Sequence, residues 1–303
     1  MDGILPLWKP KGWTSHDCVA KLRRLYGTKK VGHTGTLDPE VEGVLPICIG
    51  QATKLVPYLT DTKKTYIAEV TLGASTETED SFGAPVEQVA VQEDFSAARV
   101  QQVLEGFIGD IVQIPPMYSA VKVKGKRLYE YAREGLTVNR PERTVHVERI
   151  QLLSDILKEG DCIRFCFLVE CGKGTYVRTL CVNIGEKLGY PAHMSGLVRT
   201  KTGAFDKNRS YTIEEVERAK ERNEHLDLLL PLSEGVAHLE KIEADADMAA
   251  RVFHGQKLKM PEKLHGTKQF RIQQGEKLLA IYQPHPSEAG MTKPAKVFHY
   301  EQD

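Results

Sequence analysis

Asp38 is the first residue in this sequence whose surroundings suit it to chemistry. It stands in GHTGTLDPEVEGVLPICIG, Gly32 to Gly50, between Leu37 and Pro39 and just ahead of an apolar run. Asp-Pro is a common turn pair, so one reading is a structural turn. The glycines around it also permit a backbone that approaches a ligand closely. Loops on strand edges are where sites tend to lie. A carboxylate so placed can serve as nucleophile or general base. Such work needs the ionised form, and hence a cation nearby.

Other residues carry weaker signals. His33 and His16 either hold a loop by hydrogen bonds or shuttle protons. Tyr66 follows DTKK in a strand-like run. It reads as a half-buried strand tyrosine, or as a stacking platform for a nucleobase with the preceding lysines on phosphate. GKGTYVRTL places Tyr176 and Arg178 at a glycine-rich helix start, a setting that favours an anion. Arg178 is either a surface arginine or the cation that Asp38 needs. YSAVKVKGKRLYEYAREG interleaves Lys122, Lys124, Lys126 and Arg127 with Tyr118, Tyr129 and Tyr131. That mixture suits RNA better than a membrane surface.

The elements that must position these residues are largely readable. TSHDCVAKLRRLYG predicts a helix with Ser15 as a candidate N-cap and Gly27 as its stop. VLPICIG reads as a buried strand, and KTYIAEVTLG as a strand with Tyr66, Ala68, Val70 and Leu72 on one face. STETEDSFGAP reads as an acidic loop. SAARVQQVLEGFIG is a helix capped by Ser96, and VKVKGKR a basic hairpin. RTVHVERIQLLS and IRFCFLVEC are strands, and GTYVRTLCVNIGEKLG is a helix. Thr212 and Glu215 stand at capping-box spacing. From about residue 235 short strand-like runs alternate with Gly and Pro, predicting a small β-rich domain over 240–303.

The chain has 303 residues, room for two domains, and a composition ordinary for a globular protein. It contains no run of 18 apolar residues and no secretory-type leader, so the expectation is a cytoplasmic protein. Six cysteines occur without paired CxxC knuckles. Along a strand, Cys162 and Cys166 face opposite to Cys171, so buried thiols are expected rather than a metal site. The zero net charge conceals segregation. Residues 1–64 carry ten Lys/Arg against six Asp/Glu, 113–149 carry eight against four, and 74–110 carry one against eight. Solvated faces explain this, as does a basic groove for a polyanion.

Six segments in order, KPKGWTSHD, GHTGTLDPEVEGVLPICIGQATK, KTYIAEVTLG, IPPMYSAVKVKGKRLYEYAREG, GTYVRTL and SGLVRTKTGAF, closely resemble the TruB family of tRNA pseudouridine synthases. The resemblance covers roughly residues 3 to 235. It implies an α+β pseudouridine synthase fold: a mixed, mainly antiparallel sheet with flanking helices. It divides the chain into a catalytic domain over 1–235, with a basic RNA-binding insertion at about 113–149, and a C-terminal β-barrel of PUA type over 240–303.

The implied reaction isomerises uridine 55 in the T-loop of tRNA to pseudouridine, by base flipping, glycosidic cleavage and reattachment through C5. No cofactor or metal is implied, and a monomer acting on the T-arm stem-loop is expected. The family's essential aspartate falls on Asp38, its active-site tyrosine on Tyr66, the arginine paired with the aspartate on Arg178, and an apolar lid on Leu197. His33, Lys9, Asp80 and Tyr176 match positions that hold the loop or the substrate. Lys122, Lys124 and Lys126 match the RNA-binding insertion. Two rivals are an RNA chaperone that does no chemistry, disfavoured because Asp38, Tyr66 and Arg178 are all present, and a metal-dependent hydrolase, disfavoured because no ligand cluster surrounds Asp38.

Overall fold

The computed structural model describes residues 1–300. The chain opens with β1 (Gly3–Lys9), α1 (Ser15–Tyr26), β2 (Val31–His33), β3 (Glu42–Ile49) and α2 (Val56–Thr60). Next come β4 (Lys64–Leu72), β5 (Ala74–Thr76), β6 (Pro85–Gln88), α3 (Ala97–Glu105) and β7 (Gly109–Gln113). A small hairpin, β8 (Lys122–Val123) and β9 (Lys126–Arg127), leads into α4 (Leu128–Arg133). It is followed by β10 (Arg143–Leu152), β11 (Leu157–Glu159), β12 (Cys162–Cys171), α5 (Val177–Leu188) and β13 (Ala192–Thr202). The rest comprises β14 (Phe205–Asp206), α6 (Ile213–Glu221), β15 (Glu240–Glu243), α7 (Ala246–Phe253), β16 (Leu258–Lys259), β17 (Phe270–Gln274), β18 (Lys277–Pro284) and β19 (Met291–Val297). The fold is α+β, as expected. Among the described residues no helix is long and apolar enough to cross a membrane.

The chain forms two compact units: Met1–Glu40 with Val44–Asp61 and everything from Gly203 on, and Val41–Gly43 with Thr62–Thr202. In the first unit β2 pairs antiparallel with β3, and β1 also lies beside β3. The C-terminal strands form a five-stranded sheet in the order β15-β17-β18-β19-β16, a curled half-barrel where a barrel was expected. Leu278, Ile281 and Phe298 share a buried cluster with Ile4, Val44, Cys48 and Leu55. The C-terminal strands therefore pack on the N-terminal ones. Residues 301–303 of the expected C-terminal domain lie outside the described residues.

Helix α1 corrects one detail. Its cap is Thr14, whose side chain accepts from the Asp17 amide at 3.0 Å while the Asp17 carboxylate accepts from the Thr14 amide at 2.9 Å. Ser15, the expected cap, is thereby released for another contact described below. The caps at Ser96 and Thr212 are those expected, and Gly27 ends α1 at φ 63°.

In the second unit Val41–Gly43 leads to β13, then β4, β12, β10 and β7. Only the Glu42–Gly43 pairing with β13 is parallel; the others are antiparallel. Burial alternates strictly along β12, as a sheet with one covered face requires. All six cysteines are free thiols; Cys171 is buried while Cys162 and Cys166 are half-buried. Burial pushes the Cys18 thiol up to about 11 and Cys48 up to about 12. These are core thiols poorly suited to nucleophilic work.

Gly43 is where β3 meets β13. Its φ is 131°, and a Cβ there would lie 2.2 Å from the Arg199 carbonyl oxygen and 2.7 Å from its nitrogen. Backbone cannot yield as a side-chain tip does. Gly43→Ala is expected to lower unfolding free energy by ~1–3 kcal/mol through overpacking, read from the urea midpoint. An unchanged midpoint would show that the strands part without cost.

Candidate active site

The first unit holds Asp38, His33 and Lys9. Asp38 is half-buried in the loop between β2 and β3, and the main chain on both sides of it is tied down. Upstream, Ser15 Oγ accepts from the Leu37 amide at 2.9 Å and donates to the Leu37 carbonyl at 3.2 Å. Downstream, the Pro39 carbonyl accepts from Lys9 Nζ at 2.9 Å and from the Gly12 amide at 2.9 Å. Lys9 is fully buried, and its ammonium also donates to the carbonyls of Pro10 (2.8 Å) and Trp13 (2.5 Å). The KPKGWTS segment is thus the cradle of the Asp38 loop. His33 Nδ1 accepts from the Gly35 amide at 3.4 Å, a loop-holding contact. His16 is exposed on α1.

The second unit holds Tyr66, Asp80, Lys122, Lys124, Lys126, Tyr176, Arg178 and Leu197. Tyr66 lies opposite Arg199 across β4 and β13, and Ala68 lies opposite Leu197. Directly opposed residues share a face, so Tyr66 and Leu197 are diagonal neighbours on one side of the sheet. Ala68 and Arg199 beside them are buried, while Tyr66 and Leu197 are only half-covered. An aromatic ring and an aliphatic side chain suit a flat ring as ligand.

The two lysines before Tyr66 differ in setting, and only Lys63 is open to solvent. Lys64 is buried and donates to the Thr62 carbonyl at 2.5 Å. Lys63 pairs with Glu148 at 2.9 Å.

Arg178 is buried in the first turn of α5. Nη1 donates to the Thr78 carbonyl at 3.0 Å, and Nη2 to the Tyr118 carbonyl at 2.9 Å. Nη1 also lies 3.8 Å from the Asp80 carboxylate. The guanidinium fork therefore spans the β5–β6 hairpin and the segment before β8. Asp80 Oδ1 accepts from Thr78 Oγ1 at 2.6 Å and from the Phe82 amide at 3.0 Å, fixing the hairpin turn.

Sequence reasoning missed Gln113. It is buried, accepts from the Tyr176 amide at 3.0 Å and donates to the Tyr176 carbonyl at 3.1 Å. This amide clamp sets the start of α5 and already engages a main-chain donor that the anion reading needed.

The expected basic hairpin forms, turning at Lys124 and Gly125 with φ 50° and 86°. Lys122 and Lys124 are exposed. Lys126 instead pairs with Glu134 and stands 4.9 Å from the Tyr131 ring centroid. Among the described residues, no three of His, Cys, Asp and Glu converge as a metal-binding group.

Comparison with known proteins gives this arrangement a context. Residues 23–177 match the profile described as TruB family pseudouridylate synthase, N-terminal domain. Residues 178–237 match the tRNA pseudouridylate synthase B C-terminal domain. The chain is 54% identical over 303 residues to tRNA pseudouridine synthase B of Halalkalibacterium halodurans, covering 100% of this chain and 99% of the relative. The Bacillus subtilis enzyme of the same name is 50% identical over 301 residues, covering 98% and 97%. A solved Cbf5–Nop10–Gar1 complex superposes with a TM-score of 0.73 at 28% identity, covering 98% of this chain and 85% of that one. An H/ACA RNP bound to a substrate RNA containing 2′-deoxyuridine gives 0.72 at 26% identity, with the same coverage. With profiles matching over most of its length and close relatives along all of it, the chain belongs to the TruB family of pseudouridylate synthases and is an isomerase.

Proposed function

We propose that this chain isomerises uridine 55 in the T-loop of tRNA to pseudouridine. The observation that carries the reading is the Asp38 loop: a half-buried carboxylate whose neighbours on both sides are held by main-chain hydrogen bonds. Relatives named tRNA pseudouridine synthase B support tRNA as the substrate class. A base within a folded T-loop is out of reach, so it must be extruded at a cost of a few kcal/mol.

In this reading Asp38 attacks the ribose or the base and is released again when the new bond forms, or takes a ribose proton and returns it. The N1–C1′ bond breaks and the C5–C1′ bond forms. C5 gives up its proton and N1 gains one. Tyr66 stacks on the flipped ring, which offsets ~1–3 kcal/mol of the extrusion. Leu197 covers the ring, and Arg178 supplies the cation that accompanies the aspartate. Asp80 steadies Arg178, His33 and Lys9 hold the loop, and Tyr176 borders the substrate. Residues 1–235 form the catalytic domain and the half-barrel after residue 240 an RNA-binding domain of PUA type. The enzyme acts as a cytoplasmic monomer without a cofactor.

The test is tritium release from a T-arm stem-loop labelled at uridine C5. Release is expected from the native loop and none when position 55 is cytidine. A native stem-loop that keeps all its tritium overturns the reading.

The basic hairpin supports a second expectation. Replacing Lys122, Lys124 and Lys126 with Ala should weaken tRNA binding and flatten its salt dependence by about one unit of log–log slope per lost phosphate contact. Lys122 and Lys124, exposed, should account for most of the change. Filter binding across a salt series is the measurement, and an unaltered slope counts against the hairpin as an RNA contact.

A further inference from the structure

Glu79 is a residue that neither the motifs nor the reaction above uses. It is one of three non-glycine described residues with positive φ, at 63°. A bulky residue held in that region stores strain, which the surrounding contacts must hold in place. Those contacts come from three parts of the second unit. The Glu79 carbonyl accepts from the Met194 amide of β13 at 3.0 Å. Its Oε2 accepts from Thr179 Oγ1 at 2.7 Å. Thr179 is buried and directly follows Arg178 in the first turn of α5. Its Oε1 lies 4.0 Å from Arg140 Nη1. The same Arg140 nitrogen donates to the Pro115 carbonyl at 3.0 Å. Arg140 thus closes the neck of the basic insertion, joining residues 115 and 140 across the segment that carries Lys122 and Lys124.

Burial pushes the Glu79 carboxyl up from its ordinary value, against the hydrogen bond from Thr179 and the charges of Arg178 and Arg140. A carboxylate kept in so enclosed a place depends on those partners.

We propose that Glu79 is a positioning residue for the reaction: its carboxylate couples the first turn of α5, which carries Arg178, to the insertion neck that Arg140 closes. One oxygen serves each side. The Thr179 side governs where Arg178 sits, and the Arg140 side governs how the insertion is presented to RNA. The inference rests on the reading under Proposed function.

The two sides separate by substitution. Glu79→Gln keeps an acceptor for Thr179 but loses the charge facing Arg140. It is expected to raise KM for tRNA about fivefold with kcat within about twofold of wild type. Glu79→Ala loses both contacts and should lower kcat as well. Arg140→Ala should raise KM at least as much, because it also loses the bond to the Pro115 carbonyl. Adding Glu79→Gln to Arg140→Ala should add nothing further, since the Glu79–Arg140 interaction is already lost there.

Kinetics are run well below each variant's unfolding transition, where a residue that only supports the fold leaves KM unmoved. An unchanged KM for Glu79→Gln, or additive effects with Arg140→Ala, overturns the proposal. Wild-type protein that binds tRNA but releases no tritium refutes the pseudouridylation reading alone. The Glu79–Arg140 coupling is then read from tRNA affinity by filter binding, where the same non-additivity is required. Wild-type protein that binds no tRNA overturns both.

Discussion

Asp38→Asn is expected to abolish tritium release while leaving tRNA binding intact. The clamps on the loop act on the main chain of Leu37 and Pro39, through Ser15, Lys9 and Gly12. Asn has the same shape and leaves those bonds in place. What it removes is an anionic oxygen able to attack or to accept a proton. Loss of a positioned acid–base group costs ~10²–10⁴-fold in rate, and loss of a nucleophile at least as much. Single-turnover tritium release with excess enzyme isolates the step from binding and product release. Release by Asp38→Asn within tenfold of wild type would remove Asp38 from the chemistry. Weakened binding with normal turnover would make it a docking residue instead.

Lys9→Met carries the second large effect. The lysine is fully buried and its ammonium donates to three carbonyls, those of Pro10, Trp13 and Pro39. Met fills similar space and donates nothing. Pro39 retains the Gly12 amide, whereas the bonds from Lys9 to Pro10 and Trp13 are lost. Charge-assisted hydrogen bonds contribute ~1.5–3 kcal/mol each, with losses that do not add fully, so a total of ~3–5 kcal/mol is expected. Urea denaturation measures it. Turnover should fall too, even where the protein is folded, because the downstream flank of Asp38 has lost one of its two donors. Ser15→Ala, which loosens the upstream flank, provides a comparison. Full stability in Lys9→Met would mean that the cradle is held by other contacts.

Much of the scaffold was legible because it follows simple periodicities. Strand β12 alternates between covered and open positions, β4 does so only in part, and caps at Ser96 and Thr212 have side chains that satisfy their helix ends. The two-residue period of the strand accounts for the burial of Lys64. It is two residues before Tyr66 and four before Ala68, hence on the covered face. Strands β1 and β13 were harder. The first is apolar almost throughout, and the second mixes Gly, Ser, Arg and Lys across two register shifts. Periodicity gives no sign of either.

The candidate site residues were named through motif resemblance, but the contacts that hold them were not legible. Arg178 bonds to Thr78 and Tyr118, which lie 100 and 60 positions away. Gln113 clamps Tyr176 from 63 positions away. Glu79 looked like one more acid in an acidic loop until its backbone and its two oxygens were placed.

The cations at positions 9 and 178 share a habit with a long reach. Each directs several donors at carbonyl oxygens of the main chain. A carbonyl is present whatever side chain its residue bears. Through these bonds the anchors are blind to the identity of Trp13 or Tyr118, and demanding only of their own. Chance substitutions at Trp13 or Tyr118 can leave these bonds in place, whereas exchange of either cation cannot; Thr78 is the exception, because its hydroxyl also holds Asp80 beside Arg178. The geometry around the loops is in this respect written in the path of the chain, and the surrounding side chains are left room to drift.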